Sequence, residues 1–246
     1  DGWFNVVAER DMFDDTLGLA WANISIFWRS LKLSFITTIV TLFFGFPTAY
    51  FIATRAPNKR DLWLFLITIP FWTNILIRTF AMQEVIRNEG IVNSALMGMG
   101  LVDQPVQIMF TDWAILFGMV YVYLPLMVLP LYANLVKLDL RLLEAAQDLG
   151  ATPWKTFWLI TVPMSRAGIV AGSILVFIPC LGEFVIPSLL GGAENIMIGR
   201  VVWDEMFSSN NWPRASALSI VLILGVVIPL AWFNQRLARK VEEESR

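Results

Sequence analysis

Five stretches of the chain, each of about 20 residues, are almost free of charge: Leu31 to Ala53, Leu62 to Met82, Trp113 to Leu135, Ala167 to Leu190 and Ala215 to Phe233. They are apolar all round, and each is long enough as a helix to cross roughly 30 Å of hydrocarbon. A strand barrel would show alternating segments of roughly ten residues instead. The pattern therefore predicts an all-α integral membrane protein with five spans. Ahead of them, Asp14, Asp15, Leu17, Leu19, Trp21, Ile24 and Phe27 are expected to form an amphipathic approach helix, with Trp21 and Trp28 at the interface.

Composition agrees, because 57% hydrophobic residues and a mean hydropathy of +0.64 exceed what a soluble domain buries. The basic residues then set the orientation. Arg55, Lys59 and Arg60 follow the first span; Lys137, Arg141, Lys155 and Arg166 lie between the third and fourth; Arg236, Arg239, Lys240 and Arg246 follow the fifth. These segments hold eleven of the eighteen Lys and Arg residues and are expected to face the cytoplasm. The segments left outside carry seven basic and twelve acidic residues, and a negative mouth of this kind concentrates cations. Depletion of basic residues by the topology rule explains the same imbalance. Arg78, Arg87 and Arg200 lie on this side and are expected to pair with nearby acids or to meet an acidic docking partner.

Glu183 is the one ionisable residue well inside an expected span. A carboxylate there costs roughly 2.5 to 3.5 kcal/mol or more, so it must face protein or a wet path. At about 100° per residue it shares a helix stripe with Gly168, Gly172 and Pro179, small residues that let a neighbouring helix approach. Pro179 and Pro187 flank it and free backbone carbonyls at similar depth. Two readings stay open: a buried Glu, charged or protonated, hydrogen-bonded to a neighbouring helix, or a point on a substrate path. Trp72, Tyr121, Tyr123, Trp203 and Trp212 could line such a path for a cation, although membrane Trp and Tyr are commonly interfacial anchors.

Between the third and fourth spans, Glu144 to Leu149 reads as a short helix. Leu142, Ala145, Ala146 and Leu149 form its flat apolar face, and Gly150 ends it in the left-handed conformation. Thr152-Pro153 reads as an N-cap with proline at the first helical position. Trp154, Phe157 and Trp158 can then fasten this second helix to the bundle. The run Glu144-Ala145-Ala146-Gln147-Asp148-Leu149-Gly150, followed nine residues later by Ile160-Thr161-Val162-Pro163, resembles the EAA loop of ATP-binding-cassette (ABC) importer permeases, with Val162 where Leu is usual. The resemblance implies the transmembrane domain of a type I ABC importer, with Glu144, Ala145, Ala146, Leu149, Gly150 and Pro163 coupling it to a separate ATPase subunit.

A further likeness covers the chain from about Ser30 to Phe233. Ile77-Arg78-Thr79-Phe80-Ala81, Tyr123-Leu124-Pro125, Gly182-Glu183-Phe184-Val185-Ile186-Pro187, Ile196-Met197-Ile198-Gly199-Arg200 and Asn211-Trp212-Pro213 resemble permeases of bacterial spermidine and putrescine importers, the putrescine branch especially. Permeases for iron, sulfate and thiamine share parts of these motifs, and a passive channel or scaffold is the rival from another class. The likeness implies as partners a second, similar permease, two ATP-binding subunits and a periplasmic polyamine-binding protein, with ATP and Mg held by those partner subunits and no cofactor in this chain. It also implies six spans in the intact protein, so residues 1–30 are expected to be an external segment, 31–233 the permease domain with its hairpin at 140–163, and 234–246 a cytoplasmic tail. The start of the chain would then lie outside a bacterial inner membrane.

The sequence has no Gly-x-x-x-x-Gly-Lys-Ser/Thr phosphate loop, so the usual means of binding ATP is missing. It has no His, and its single Cys180 lies in an expected span, where it reads as a small core residue. No basic cluster points to nucleic acid, and Glu242-Glu243-Glu244 reads as a solvated end.

Overall fold

The computed structural model describes residues 8–10, 17–19, 21–192 and 194–244. The chain packs as two units, Asp1–Leu31 with Ile196–Arg246, and Lys32–Asn195. Strands β1 (Ala8–Arg10) and β2 (Leu17–Leu19) form an antiparallel pair, with Ala8 opposite Leu19. The approach helix expected from 14 to 27 is therefore corrected. Leu17 and Leu19 are in β2, with a period of two around Gly18, and the helix begins only at Trp21. Asp14 and Asp15 lie outside the described residues.

Helix α1 (Trp21–Ala53) runs for 33 residues. Four of its hydroxyls are consumed locally: Ser30, Thr38, Thr41 and Thr48 donate to the carbonyls of Ile26, Ser34, Thr37 and Phe44, each four residues back, while the buried Thr37 hydroxyl turns to Met119 Sδ instead. That removes the cost of carrying hydroxyls through an apolar medium. Phe35, Ile39, Phe43 and Phe44 stay exposed, as side chains facing lipid do.

In the unit Lys32–Asn195, α2 (Pro57–Thr68) passes through a 3₁₀ turn at Ile69–Trp72 and then breaks before α3 (Ile75–Ile86) and α4 (Ile91–Gly98). Helix α5 (Asp112–Leu135) is the core element; its Ile115, Met119, Met127, Val128 and Leu131 are fully buried. The hairpin follows as α6 (Leu140–Asp148) and α7 (Pro153–Thr156), then a π turn at Phe157–Thr161 and the short α8 (Val162–Met164). Helix α9 (Arg166–Leu181) and α10 (Val185–Leu190) complete the unit, and α3, α9 and α10 all pack on α5.

The other unit continues with α11 (Ile198–Trp203), a π turn at Asp204–Ser208 and α12 (Trp212–Glu244). Ile198, Ala217 and Leu218 form its small core against Ile26 and Val221. The Ile198 N–H donates to Ser30 Oγ at 2.8 Å, tying the start of α11 to α1.

Two of the expected spans are uninterrupted apolar helices, within Asn23–Ala53 and Asp112–Leu135. Two others are corrected from straight to broken. Residues 62–82 bend by 92° between Trp72 and Ile75, and 167–190 is interrupted at 182–184. A second bend, of 67°, separates α8 from α9. The fifth stretch, Ala215 to Phe233, lies within the single helix α12. The fold is thus a multi-span helical membrane architecture with helices broken inside apolar sequence.

The Gly168/Gly172 stripe faces α5, as its small residues suggested. A Cβ on Gly168 would lie 2.8 Å from Asn134 Cβ and 3.1 Å from the Pro130 carbonyl oxygen; on Gly172 it would lie 2.8 Å from Met127 Sδ. Backbone cannot yield where a thioether can. Gly168→Val should therefore lower stability by about 1 to 3 kcal/mol, and Gly172→Ala by less because methionine re-packs. Thermal unfolding of the two purified variants in one detergent checks that order.

Candidate functional site

The hairpin is built by its caps. Asp139 accepts from the Arg141 N–H at 3.0 Å and opens α6. Gly150, at φ +87°, closes it: its own N–H donates to Gln147 O at 2.8 Å and the Ala151 N–H to Ala146 O at 3.0 Å. This is the paired closure that needs a left-handed residue after the helix. Thr152 then accepts from the Lys155 N–H, with Pro153 at the first helical position. The stop at Gly150 and the restart at Thr152-Pro153 match the sequence expectation, while the helix opens at Leu140, a turn before the expected Glu144.

Leu143 is buried at the base of the hairpin, while Leu142, Glu144, Ala145, Leu149 and Gly150 face outward and Ala146 is half-buried. Leu149 is 90% exposed, a bare apolar tip. The second arm is anchored by Phe157, whose ring meets Phe46 and Tyr50 of α1 edge-on at 5.4 and 6.1 Å. Trp154 stacks on Phe157 from outside, and Trp158 touches both. So Phe157 does the fastening, with the tryptophans as an exposed collar. The π turn ends just before Val162, whose N–H reaches Phe157 O. Pro163 has no N–H for the Leu159 carbonyl, and the widened turn accommodates that loss.

The second constellation lies at the break between α9 and α10. Glu183, 7% exposed, accepts from the Tyr123 hydroxyl on Oε2 at 2.5 Å. Its Oε1 accepts from the Val185 N–H at 3.0 Å and the Ile186 N–H at 3.5 Å. The carboxylate thus caps the first turn of α10 and ties it to α5. The first of the two sequence readings holds here: the partner on a neighbouring helix is Tyr123. Glu183 itself lies in the break, not within a continuous helix.

The remaining path residues are more dispersed. Tyr121 is half-exposed and lies about 200° around α5 from Tyr123. Trp72, 85% exposed, ends the 3₁₀ turn before the 92° bend. Trp203 belongs to the other unit, where its ring packs against Phe207 at 4.3 Å. Trp212, in the same unit, starts α12 and is exposed.

Arg78 departs from its expectation of an external ion pair. It is 7% exposed and donates through one terminal nitrogen to Thr73 O at 2.8 Å and Phe71 O at 3.5 Å. These carbonyls end the 3₁₀ turn at the break, so the guanidinium closes the bend. Asn74 caps the other side by accepting from the Leu76 N–H. Thr73-Asn74 after Pro70 was the available signal for this break. Arg87 and Arg200 do pair with acids, Glu84 at 3.1 Å and Asp204 at 3.7 Å.

If Glu183 holds α10 through its oxygens, Glu183→Ala should cost about 1 to 3 kcal/mol of stability, because two amides and one hydroxyl lose their acceptor. Glu183→Gln keeps one carbonyl oxygen for the amides and should cost less. Tyr123→Phe combined with each should be non-additive with Ala and Gln alike. Denaturation of the three single variants, the two double variants and the parent reads this coupling directly.

Comparison with known proteins fits these features. The family of binding-protein-dependent transport system inner membrane components matches residues 16–243. The spermidine/putrescine transport system permease protein PotB of Haemophilus influenzae is 43% identical over 220 residues, covering 88% of this chain and 77% of that protein. PotB of Escherichia coli is 41% identical over 217 residues, covering 87% and 79%. Among solved structures, a bacterial ABC transporter that imports the acidic polysaccharide alginate has the same fold, with a TM-score of 0.61 at 19% identity, over 93% of this chain and 86% of that one. The chain belongs to the family of binding-protein-dependent transport system inner membrane components.

Proposed function

We infer that this protein is the permease subunit of an ATP-driven importer that carries polyamines, putrescine or spermidine, into the cell. The observation that carries this reading is 43% identity across 88% of the chain to a spermidine/putrescine permease. Iron, thiamine and sulfate lack comparable support. The subunit transports and is not an enzyme; hydrolysis belongs to ATP-binding partners, which would hold ATP and Mg.

The proposed assembly is this chain, a second homologous permease, two ATP-binding subunits and a periplasmic polyamine-binding protein. In it, five spans place the hairpin and the C-terminus in the cytoplasm. Glu144, Ala145, Ala146, Leu149, Gly150 and Pro163 form the elbow that the ATPase grips. Support comes from the exposure of Leu149 and the rigid closure at Gly150. A tip with one fixed shape transmits displacement rather than absorbing it. Nucleotide closure then opens the bundle outward, the polyamine descends, and hydrolysis resets it by alternating access.

The proposed path passes Trp72, Tyr121, Tyr123 and Glu183, with its weight on Glu183 and Tyr123. A carboxylate has about four lone-pair sites, and three donors occupy Glu183. An ammonium arriving at the break can take the fourth or replace the tyrosine hydroxyl.

Two measurements on the reconstituted importer test the two parts. Gly150→Val forces a branched side chain into the left-handed region, a strain of roughly 1 to 2 kcal/mol, and should cut ATP-driven uptake on the order of tenfold while the complex still assembles. Uptake at the parental rate in that variant would favour a passive channel. Glu183→Gln should slow putrescine and spermidine uptake by about tenfold or more, the worth of one charge-assisted hydrogen bond. Unchanged uptake would remove the carboxylate from the path and leave the coupling reading intact.

A further inference from the structure

A second feature lies far along the sequence from Glu183. Helices α1 and α2 meet edge to face where Phe51 and Trp63 pack at 5.3 Å. Beside that contact runs a groove of about 440 Å³, walled by Pro47 and Phe51 from α1 and by Trp63, Leu66 and Ile67 from α2. Its volume falls within the roughly 300 to 1,000 Å³ of small-ligand sites. The walls are almost wholly apolar, and Phe51, Trp63 and Leu66 remain exposed. The side-chain hydroxyl of Thr48 is already turned inward to Phe44 O, so it offers little to a polar guest.

One end of this groove is cationic. Arg55 lays its guanidinium over the Phe51 ring, 4.0 Å from the centroid, which fixes a positive charge at the groove's rim. Arg60 donates from Nε to the Arg55 carbonyl at 2.7 Å, which holds it beside Arg55 although it also borders the neighbouring cleft of Tyr50, Ala53 and Leu135. Lys59 stands exposed between them in sequence. Helix α2 begins at Pro57 without a side-chain cap, and its positive end adds to the same region. Asp61 is the one acid between Phe51 and Thr68. The cleft lined by Arg87, Glu89 and Phe110 differs: it holds an acid, and Arg87 is already paired with Glu84.

We propose that this groove binds an anionic phospholipid, with an acyl chain against Phe51, Trp63 and Leu66 and the phosphate among Arg55, Lys59 and Arg60. The argument is charge complementarity at the end of an apolar slot. A neutral lipid gains the slot alone. An anionic one gains the slot and three cations, and Lys and Arg near a membrane surface attract acidic headgroups. Arginine supplies a planar fork that matches a phosphate, and Arg55 keeps its fork while stacked. The lipid would brace the short turn joining α1 to α2, on the same face of the sequence as the segment expected to be cytoplasmic.

The test uses the complete importer in nanodiscs of phosphatidylcholine carrying a trace of photoreactive phosphatidylglycerol or, in parallel, photoreactive phosphatidylcholine. Peptide mapping should find phosphatidylglycerol adducts concentrated on residues 47–67, in excess over phosphatidylcholine. The variant Arg55→Gln/Lys59→Gln/Arg60→Gln should lose that preference, about fivefold per removed cation and on the order of a hundredfold in all. Leu66→Trp leaves every charge in place but fills the slot, and should reduce adducts of both lipids there. Equal labelling by the two lipids, or a preference that survives the triple substitution, overturns the proposal. So does absence of adducts on 47–67 in the complete importer, which would mean that another subunit covers the groove.

Discussion

A helix interrupted inside apolar surroundings leaves backbone groups with no water to turn to, and everything distinctive in this fold answers that constraint. At Trp72–Ile75 the break strands carbonyls, and Arg78 donates to those of Phe71 and Thr73. At 182–184 the break strands amides, and Glu183 accepts from those of Val185 and Ile186. The signs agree with the helix dipole, a cation on a carbonyl end and a carboxylate on an amide end. Each charge is nearly buried, so neither is an ornament of the surface. A polar side chain in this setting is tolerated because backbone partners replace the lost hydration.

The same constraint explains where α5 must sit. Helices α3 and α10 flank the two breaks, and both pack on α5. Helix α9 also packs there, closely enough that a Cβ at Gly168 would meet the Pro130 carbonyl. Tyr123 on α5 then supplies the third donor to Glu183. A shift of α9 against α5 would strain that hydrogen bond, which joins α5 to the residues just after α9. The hairpin follows α5 directly and leads through Pro163 into α9, so its two arms are connected to the two helices whose contact Tyr123 and Glu183 bridge.

Much of this was legible in the sequence because local chemistry decided it. Gly150, Thr152 and Pro153 each impose a backbone geometry within a few residues, and all three appear as expected. The apolar stretches and the small-residue stripe were likewise readable, since periodicity and residue size act locally. The breaks were not, because hydropathy averages over a window and Thr73-Asn74 or Gly182-Glu183 scarcely lowers it. Charge alone places Arg78 at the outer surface. Its true partners are carbonyls five and seven residues back, which no count of acids could reveal. The approach helix failed for a related reason: Leu17, Gly18 and Leu19 fit a helical wheel over a long window, yet their own spacing suits a strand.

The double position of Glu183 bears on how a polyamine could move past it. A carboxylate already satisfied by two amides and a hydroxyl is a poor resting site, because an ammonium must first displace a partner. That is an advantage for a conduit. A site that holds its cargo too well will not release it, whereas one that exchanges a phenol for an ammonium returns to its closed state when the cargo leaves. The two amides keep α10 capped throughout, so the exchange need move only Tyr123. If the proposed path runs here, its selectivity would come from the work of separating α5 from the break, and the hairpin joined to α5 and α9 would be the element to deliver it.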